Sequence, residues 1–226
     1  MKNVTFGNYD AYLEFGLIRT GMTIGSPSIK EIKVDIEGAD GEKDLTEYYG
    51  IVHYSNRPLS FEFETPKRDE EFTELYSRIL NALHGKKMKV IPSEEVNYYY
   101  FGRVKVNEWK SNKAIGKIVI DVNAEPYKLK NNPTIVSKTM NGTTAIPCPN
   151  LRKPVVPKIT ISGAATIVFK TYNINGSLLK EYRYTITSST YPYTPELPDI
   201  LFVEGDNVLE VTMNGAIIIE YQEGVL

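Results

Sequence analysis

Residues 59–91 read LSFEFETPKRDEEFTELYSRILNALHGKKMKVI, and this stretch decides the fold of the first part of the chain. Its opening alternates apolar and polar residues and places Leu59, Phe61 and Phe63 on one face, which predicts a strand with one buried face. Its end, residues 86–91, returns to a strand pattern. The segment between them has helical spacing, so the stretch predicts strand, helix and strand in that order.

The helix has recognisable signals at both ends. Thr65 suits the N-cap and Pro66 the first helical position, whereas Gly85 suits the C-cap. His84 lies at the negative end of the helix dipole, where a cation is favourable. The apolar residues that recur at helical spacing are Phe72, Leu75, Tyr76, Ile79, Leu80 and Leu83.

Further strand patterns lie on both sides of this stretch. Residues 29–36 alternate between apolar and charged residues, and residues 98–106 and 114–122 also have strand character. Together these segments predict an N-terminal β-rich domain, residues 1–130, in which one helix packs on a sheet. The apolar residues of the first pattern are Ile29, Ile32, Val34 and Ile36.

Residues 131–157 are expected to form a proline-rich linker. Proline lacks the amide hydrogen of a sheet ladder and interrupts a helix, so a cluster of prolines disfavours a helix or a central strand. The prolines of this segment include Pro147, Pro149, Pro154 and Pro157.

The remainder, residues 158–226, is expected to be entirely β. Asn175-Gly176 and Asn214-Gly215 are hairpin signals, which favours a compact antiparallel β-sandwich. The whole chain is therefore predicted to be mainly β with one helix. The six candidate strands cover 158–162, 165–171, 178–187, 200–203, 207–213 and 216–221.

Composition excludes several classes of protein. Hydrophobic residues make up 42% and charged residues 24% of the chain, as in a globular protein. The net charge of −2 gives no broad positive field for nucleic acid, and the apolar runs are too short to span a membrane. The first residues are too polar for a signal peptide, so we expect synthesis and folding in a cytoplasm.

The reactive residue types do not assemble into a known motif. Cys148 is the single cysteine, and a small buried thiol is expected. Four carboxylates in residues 37–44 could bind Ca²⁺, but the EF-hand spacing is absent and a solvated loop is favoured. Glu94 and Glu95 could act as a pair in glycoside hydrolysis, yet adjacent loop acids are usually solvated. The sequence therefore predicts no catalytic residue, no cofactor and no metal.

Tyrosines of the last domain offer one alternative function. Aromatic rings can pack on sugar rings, so this domain could bind cell-wall saccharides, with Tyr191 and Tyr193 as candidate contacts. Ordinary sheet packing is favoured, because strands are enriched in tyrosine in any case. The tyrosines considered are Tyr172, Tyr182, Tyr184, Tyr191 and Tyr193.

One segment resembles a known family. Residues 38–46 read GADGEKDLT and follow a strand pattern, with Tyr54, Arg57 and the alternating residues 59–63 after them. This order resembles that of phage distal tail proteins, which have a Gly-x-Asp-Gly-x-x-Asp-Leu-Thr loop at this point. The segment 124–128 (AEPYK) and the terminal strand from Ile219 are also similar to the family.

The resemblance implies a structural rather than an enzymatic role in a phage or prophage tail tip. It implies a homohexameric ring in the virion tail that joins the tail tube protein to the tail-associated tip protein, with receptor-binding proteins at its periphery in many relatives. The first domain would form the ring wall, and the second would be galectin-like. Contacts between subunits are expected in the loop 38–58 and the helix over 72–83. The candidate contact residues are Gly38, Asp40, Gly41, Asp44, Thr46, Tyr54 and Arg57.

Overall fold

The computed structural model describes residues 2–48, 50–66, 69–111, 115–172 and 176–226, with all of their side chains except those of Asp69, Glu70, Glu108 and Ser111. The chain divides into two compact units, Met1–Lys128 and Leu129–Val225. In chain order, the elements of the first unit are β1 (Val4–Phe6), β2 (Tyr9–Asp10), α1 (Ala11–Phe15), β3 (Ile18–Ile24), β4 (Lys33–Asp35), β5 (Glu42–Asp44), β6 (Arg57–Thr65), α2 (Asp69–Leu83), β7 (Lys87–Pro92), β8 (Tyr98–Ser111) and β9 (Gly116–Ala124).

The sheet of the first unit runs in the order β2-β1-β7-β8-β9-β6-β3, and its paired strands are antiparallel. The phenylalanine ring of Phe6 in β1 meets that of Phe61 in β6 with centroids 5.7 Å apart. Because three strands separate β1 from β6, this contact requires the sheet to curl around its core. The mainly β prediction is confirmed.

Strand β6 and helix α2 behave as the sequence predicts. Burial alternates along β6, with Leu59, Phe61 and Phe63 inside. Gly85 has the positive φ of a C-cap, 76°. The N-cap prediction at Thr65 is wrong, because Thr65 is the last residue of β6 and its buried Oγ1 accepts no hydrogen bond from a helix amide that the structure describes. Lys67 and Arg68 lie outside the described residues. The helix residues buried in the core are Phe72, Leu75, Ile79 and Leu83.

His84 connects the end of α2 to the sheet. Its Nδ1 accepts a hydrogen bond from the Val106 amide of β8 at 3.2 Å. A second, short helix that was not predicted, α1, also forms. Asp10 accepts hydrogen bonds from the Tyr12 and Leu13 amides as its N-cap, and Gly16 closes it with a φ of 65°.

The second unit consists of β10 (Lys128–Lys130), β11 (Thr134–Asn150), β12 (Lys158–Ile161), β13 (Ala165–Tyr172), β14 (Leu178–Ile186), β15 (Gly205–Tyr221) and β16 (Gly224–Val225). Strands β11, β15, β13 and β14 are neighbours in that order, and β12 also pairs with β15. Strand β15 is therefore the centre of this sheet. The galectin-like character of the unit stays a prediction.

Strand β11 corrects the interpretation of residues 131–157 as a linker without a strand. This strand pairs with β15 along its whole length, from Thr134 opposite Tyr221 to Asn150 opposite Gly205. It tolerates Pro147 and Pro149 because it lies at the edge of the sheet, where a missing amide hydrogen can face away from the ladder. The cluster of prolines excluded a central strand but not an edge strand.

Two further expectations for this unit are wrong. Asn214-Gly215 forms no hairpin, because both residues lie inside β15 and pair with Asn141 and Met140. Residues 200–203 form no strand, and only Phe202 makes an isolated bridge, to Val155. Turn propensity was overridden at Asn214 by the pairing of two long strands. Asn175, of the other hairpin signal, lies outside the described residues.

Cys148 is fully buried in the core of the second unit, as predicted. Burial raises the pKa of its thiol to about 11, so the thiolate is scarce at neutral pH and the side chain is unreactive. Among the described residues, no helix is long and apolar enough to cross a membrane.

Candidate functional site

The connection between β3 and β6, residues 25–56, forms an extended β arm. Its base continues the antiparallel ladder of the two strands beyond the sheet. The Ser55 amide donates to the Ser28 carbonyl at 2.8 Å, and the Lys30 amide donates to the His53 carbonyl at 2.9 Å. Strands β4 and β5 form its outer part as a separate two-stranded sheet. We call residues 25–56 the arm.

Two glycines shape the tip of the arm. Gly38 and Gly41 have φ values of 82° and 77°, which side chains of other residues rarely adopt. The Ala39 amide donates to the Ile36 carbonyl at 3.0 Å and tightens the turn. Asp40 lies exposed between the two glycines. The Gly-x-Asp-Gly pattern found in the sequence therefore provides the two glycines that the tight turn between the strands requires.

The outer arm has one apolar and one charged face. Val34 pairs with Lys43, and by alternation Ile32 and Ile36 lie on the same face as Val34. These three apolar side chains are 42–45% exposed, and every residue from 28 to 44 is exposed. An isolated two-stranded sheet is only marginally stable in water, so such a surface is typical of a segment that binds a partner. The opposite face carries Lys33, Asp35, Glu42 and Asp44.

Thr46 and Asp44 lock the inner end of this hairpin. The Thr46 amide donates to Asp44 Oδ1 at 2.9 Å, and the Ile32 amide donates to Thr46 Oγ1 at 3.1 Å. The hydrogen bonds from Thr46 lower the pKa of the Asp44 carboxyl. Thr46 is buried. Its side chain therefore holds the arm, and its predicted part in an intersubunit contact stays a prediction.

Arg57 has a similar role at the root of the arm. Its Nε donates to the Gly25 carbonyl at 2.9 Å, one terminal nitrogen donates to the Pro126 carbonyl at 3.3 Å, and its guanidinium lies 5.5 Å from the centre of the Tyr100 ring. Arg57 is buried within its own unit, where it holds the root of the arm, and its predicted contact with a neighbouring subunit stays a prediction. Tyr54 packs edge-on against a second tyrosine ring of the same unit, with centroids 5.9 Å apart.

The structure thus separates the predicted contact residues into two groups. Gly38, Asp40, Gly41 and Asp44 lie on the exposed outer arm, whereas Thr46, Tyr54 and Arg57 lie at its base. The apolar face of α2, also proposed from the sequence, is buried in the core of its own unit. The exposed residues that the prediction missed are Ile32, Val34 and Ile36. Their alternation was recognised, but it was interpreted as a strand packed on the domain's own core.

The acidic residues considered for catalysis or metal binding serve other purposes. Glu94 pairs with Arg19, and Glu95 accepts hydrogen bonds from Lys128 Nζ at 2.6 Å and the Tyr100 hydroxyl at 2.8 Å. Within the part of the chain that the structure describes, no group of three or more His, Cys, Asp or Glu side chains could hold a metal. These carboxylates therefore connect strands and loops of the first unit.

The pair of Glu94 and Arg19 gives a pH-dependent prediction. The hydrogen bond from Arg19 lowers the pKa of the Glu94 carboxyl below its ordinary 4.5, so the pair stabilises the folded state above that pH and loses this effect as the pH falls through the lowered pKa. Glu94→Gln is expected to reduce the free energy of unfolding by about 1 kcal/mol at pH 7, because Gln keeps an oxygen for Arg19 and Glu94 is 38% exposed.

Urea denaturation of both proteins between pH 7 and pH 3 tests this effect. The two stability curves should converge in the acid range, because protonated Glu94 then resembles Gln. A constant difference at every pH would contradict the assignment.

Tyr191 and Tyr193 have different surroundings. The Tyr191 hydroxyl accepts a hydrogen bond from the Ser188 amide at 3.0 Å. The backbone of Tyr193 exchanges two 2.9 Å hydrogen bonds with Ile161, and its side chain lines a pocket of about 610 Å³ beside Thr185. Tyr191 does not line this pocket. Saccharide binding by the two tyrosines stays a prediction.

The outer face of the first sheet carries an open groove of about 1020 Å³. It crosses β6, β9 and β8, where outward side chains meet in register: Pro58 pairs with Asn123, and Asp121 pairs with Lys105. The groove reaches Lys87, at the beginning of β7. Polar and charged side chains stand along it, as expected for the solvent face of an antiparallel sheet, although most of its lining surface is apolar.

Comparison with known proteins shows a likeness of fold. The chain matches no protein-family model and no curated protein. Among solved structures, it is similar to the Dit protein of phage SPP1, described as a paradigm of the hub adsorption apparatus in phages that infect Gram-positive bacteria, with a TM-score of 0.68, 16% identity and 100% of both chains covered. The chain has the fold of this phage hub protein. The likeness extends over the whole length of both chains.

A second solved structure, the insecticidal delta-endotoxin Cry8Ea1 from Bacillus thuringiensis, has a TM-score of 0.22 and 9% identity over 95% of this chain and 44% of the toxin. This similarity carries no argument about fold or function.

Proposed function

We propose that the chain is a structural subunit of a phage or prophage tail tip. In this role, six copies form a ring that joins the tail tube protein to the tail-associated tip protein, with receptor-binding proteins at the periphery. Its place is the virion tail, after assembly in the cytoplasm of the bacterial host. The observation that carries the proposal is the exposed amphipathic arm on a Dit fold.

The arm supplies the type of contact that a ring requires. A ring closes through a heterologous contact, in which each subunit presents one surface and receives a different one. The arm is anchored in its own unit by Arg57 and Thr46 while Ile32, Val34 and Ile36 stay exposed. Burial of these three half-exposed side chains would contribute roughly 1 kcal/mol each to every contact.

The same role is non-enzymatic. The partly buried carboxylates Glu94 and Glu223 form ion pairs with Arg19 and Lys130, so they stabilise the chain. An architectural role needs an anchored arm and stable strands rather than a reactive side chain, and these are the features that the residues provide.

Mass measurement across a concentration series tests the proposal. Light scattering of the purified chain from micromolar to millimolar concentration should show a transition from monomer to a species of six chains, because assembly follows mass action. Negative-stain images of the largest species should show a six-fold ring with a central hole. A chain that stays monomeric throughout this range, also with the tail tube protein added, would contradict the proposal.

A further inference from the structure

We propose that the pocket beside Tyr193 in the second unit binds a neutral saccharide. This inference goes beyond the proposed ring, because neither the arm nor a second copy takes part in it. The pocket lies between the end of β14 and residues 193–197, is open to solvent and has a volume of about 610 Å³. This volume lies within the usual range for pockets that bind small ligands.

The lining of this pocket is predominantly polar, which favours a ligand rich in hydroxyl groups over an apolar ligand. Thr185, Thr187 and Glu196 contribute to the lining. Their side chains make no hydrogen bond or ion pair with another residue that the structure describes. A threonine hydroxyl donates and accepts hydrogen bonds, whereas a carboxylate accepts strong ones. Together these groups match the hydroxyls around a sugar ring.

Tyr193 supplies the apolar surface that a sugar ring also needs. The C–H groups on the face of a pyranose ring pack on an aromatic ring, while the hydroxyls at its edge form hydrogen bonds. Sheet packing does not account for this tyrosine, because it lies outside β10 to β16 and is 39% exposed. Tyr182 and Tyr184 of β14, by contrast, pack against the core of the second unit.

The segment that carries Tyr193 is anchored on β12. The backbone of Tyr193 forms a bridge with Ile161 through two 2.9 Å hydrogen bonds. The hydroxyl of the next residue, Thr194, shares a 2.9 Å hydrogen bond with the hydroxyl of Thr160. A surface that is already ordered loses little conformational entropy on binding, so this segment suits a small ligand such as a single sugar.

The charge of the pocket selects among saccharides. Glu196 lines it, and none of the described residues that line it is a lysine or an arginine. An anionic sugar would bring its charge close to the Glu196 carboxylate without a cation to offset it, which is unfavourable. A neutral sugar can instead donate a hydroxyl hydrogen to this carboxylate. The ligand class is therefore a neutral saccharide.

Saturation-transfer NMR with the intact chain tests this site. The probes are methyl galactoside, methyl glucoside and N-acetylglucosamine, each at millimolar concentration. At least one of them should receive magnetisation from the protein, most strongly at the C–H protons of its ring. Tyr193→Ala should weaken the binding of that sugar at least about fivefold, because the aromatic surface is lost. Glu196→Gln should weaken it about twofold or more, since a neutral oxygen is a poorer acceptor than a carboxylate.

Tyr191→Ala is the matched control. Tyr191 is 37% exposed and lies two residues before Tyr193, yet it does not line the pocket. This variant should bind the sugar as the wild-type chain does, and circular dichroism should show that all variants are folded. Absence of transfer to all three sugars, or equal losses in Tyr191→Ala and Tyr193→Ala, would overturn the proposal. Neither result bears on the ring, because the oligomeric state does not enter this measurement.

Discussion

A chain that carries Ile32→Asp and Val34→Asp is expected to stay monomeric at concentrations where the wild-type chain assembles into the proposed ring. Both side chains lie on the apolar face of the arm and are 42% exposed in the single chain. If they are buried between subunits, the variant loses their burial and places two carboxylates in an apolar contact. Association at each contact should weaken on the order of a hundredfold or more. Light scattering across the same concentration series measures this change.

The control is a pair of β-branched residues in the second unit that are at least as exposed as Ile32 and Val34. Ile135 and Val156 of the second unit are 60% and 46% exposed, and Ile135→Asp with Val156→Asp adds the same charge outside the arm. This control should assemble normally. The melting temperature of the arm variant should also stay close to that of the wild-type chain, because neither residue belongs to a hydrophobic core. Normal rings from the arm variant would exclude the apolar face as a ring contact.

A large loss of stability in the first unit is expected from Gly116→Ala. A Cβ atom at Gly116, in β9, would lie 2.3 Å from the Phe72 ring, far inside van der Waals contact. Phe72 is fully buried and packs against Trp109 with ring centroids 4.9 Å apart, so it has little space in which to move. The free energy of unfolding should fall by about 2–3 kcal/mol, as for other overpacked cores. Urea denaturation measures this free energy of unfolding.

A double-mutant cycle distinguishes this clash from a general effect of alanine. Phe72→Leu alone should cost about 1–2 kcal/mol through lost ring contacts. Combined with Gly116→Ala, the smaller side chain makes room for the new methyl group, so the double variant should be more stable than the sum of the two changes predicts. If the two losses in free energy of unfolding simply add, Gly116 is required for a reason other than the space that it leaves for the Phe72 ring.

The sequence predicted the parts of the fold that local spacing controls. Leu59, Phe61 and Phe63 are buried because the period of a strand places alternate residues on one face. Gly85 ends α2 because only glycine adopts its φ readily. In both cases the decisive interactions lie within a few residues of each other.

The failures occurred where distant partners decide the outcome. Asn214-Gly215 has the composition of a turn, yet a long partner strand keeps it extended, and no local signal reports this pairing. Arg57, a candidate contact from the sequence, is enclosed by Tyr100 and the Pro126 carbonyl, more than 40 positions away, and no local pattern indicates this burial. Alternation in the arm correctly grouped Ile32 with Val34. The alternation could not indicate whether these two side chains pack against the same chain or against another.

The position of β15 in the chain has a consequence for biosynthesis. This strand is the centre of the second sheet, and β11, β12 and β13, with which it pairs, all precede it. During translation these strands emerge without their common neighbour, so the sheet must wait until β15 has left the ribosome. Its pairing with β11 also joins residues far apart in sequence, which slows folding. The second unit should therefore fold late and in a single cooperative step, and a nascent chain stopped before Gly205 should expose its apolar residues to chaperones.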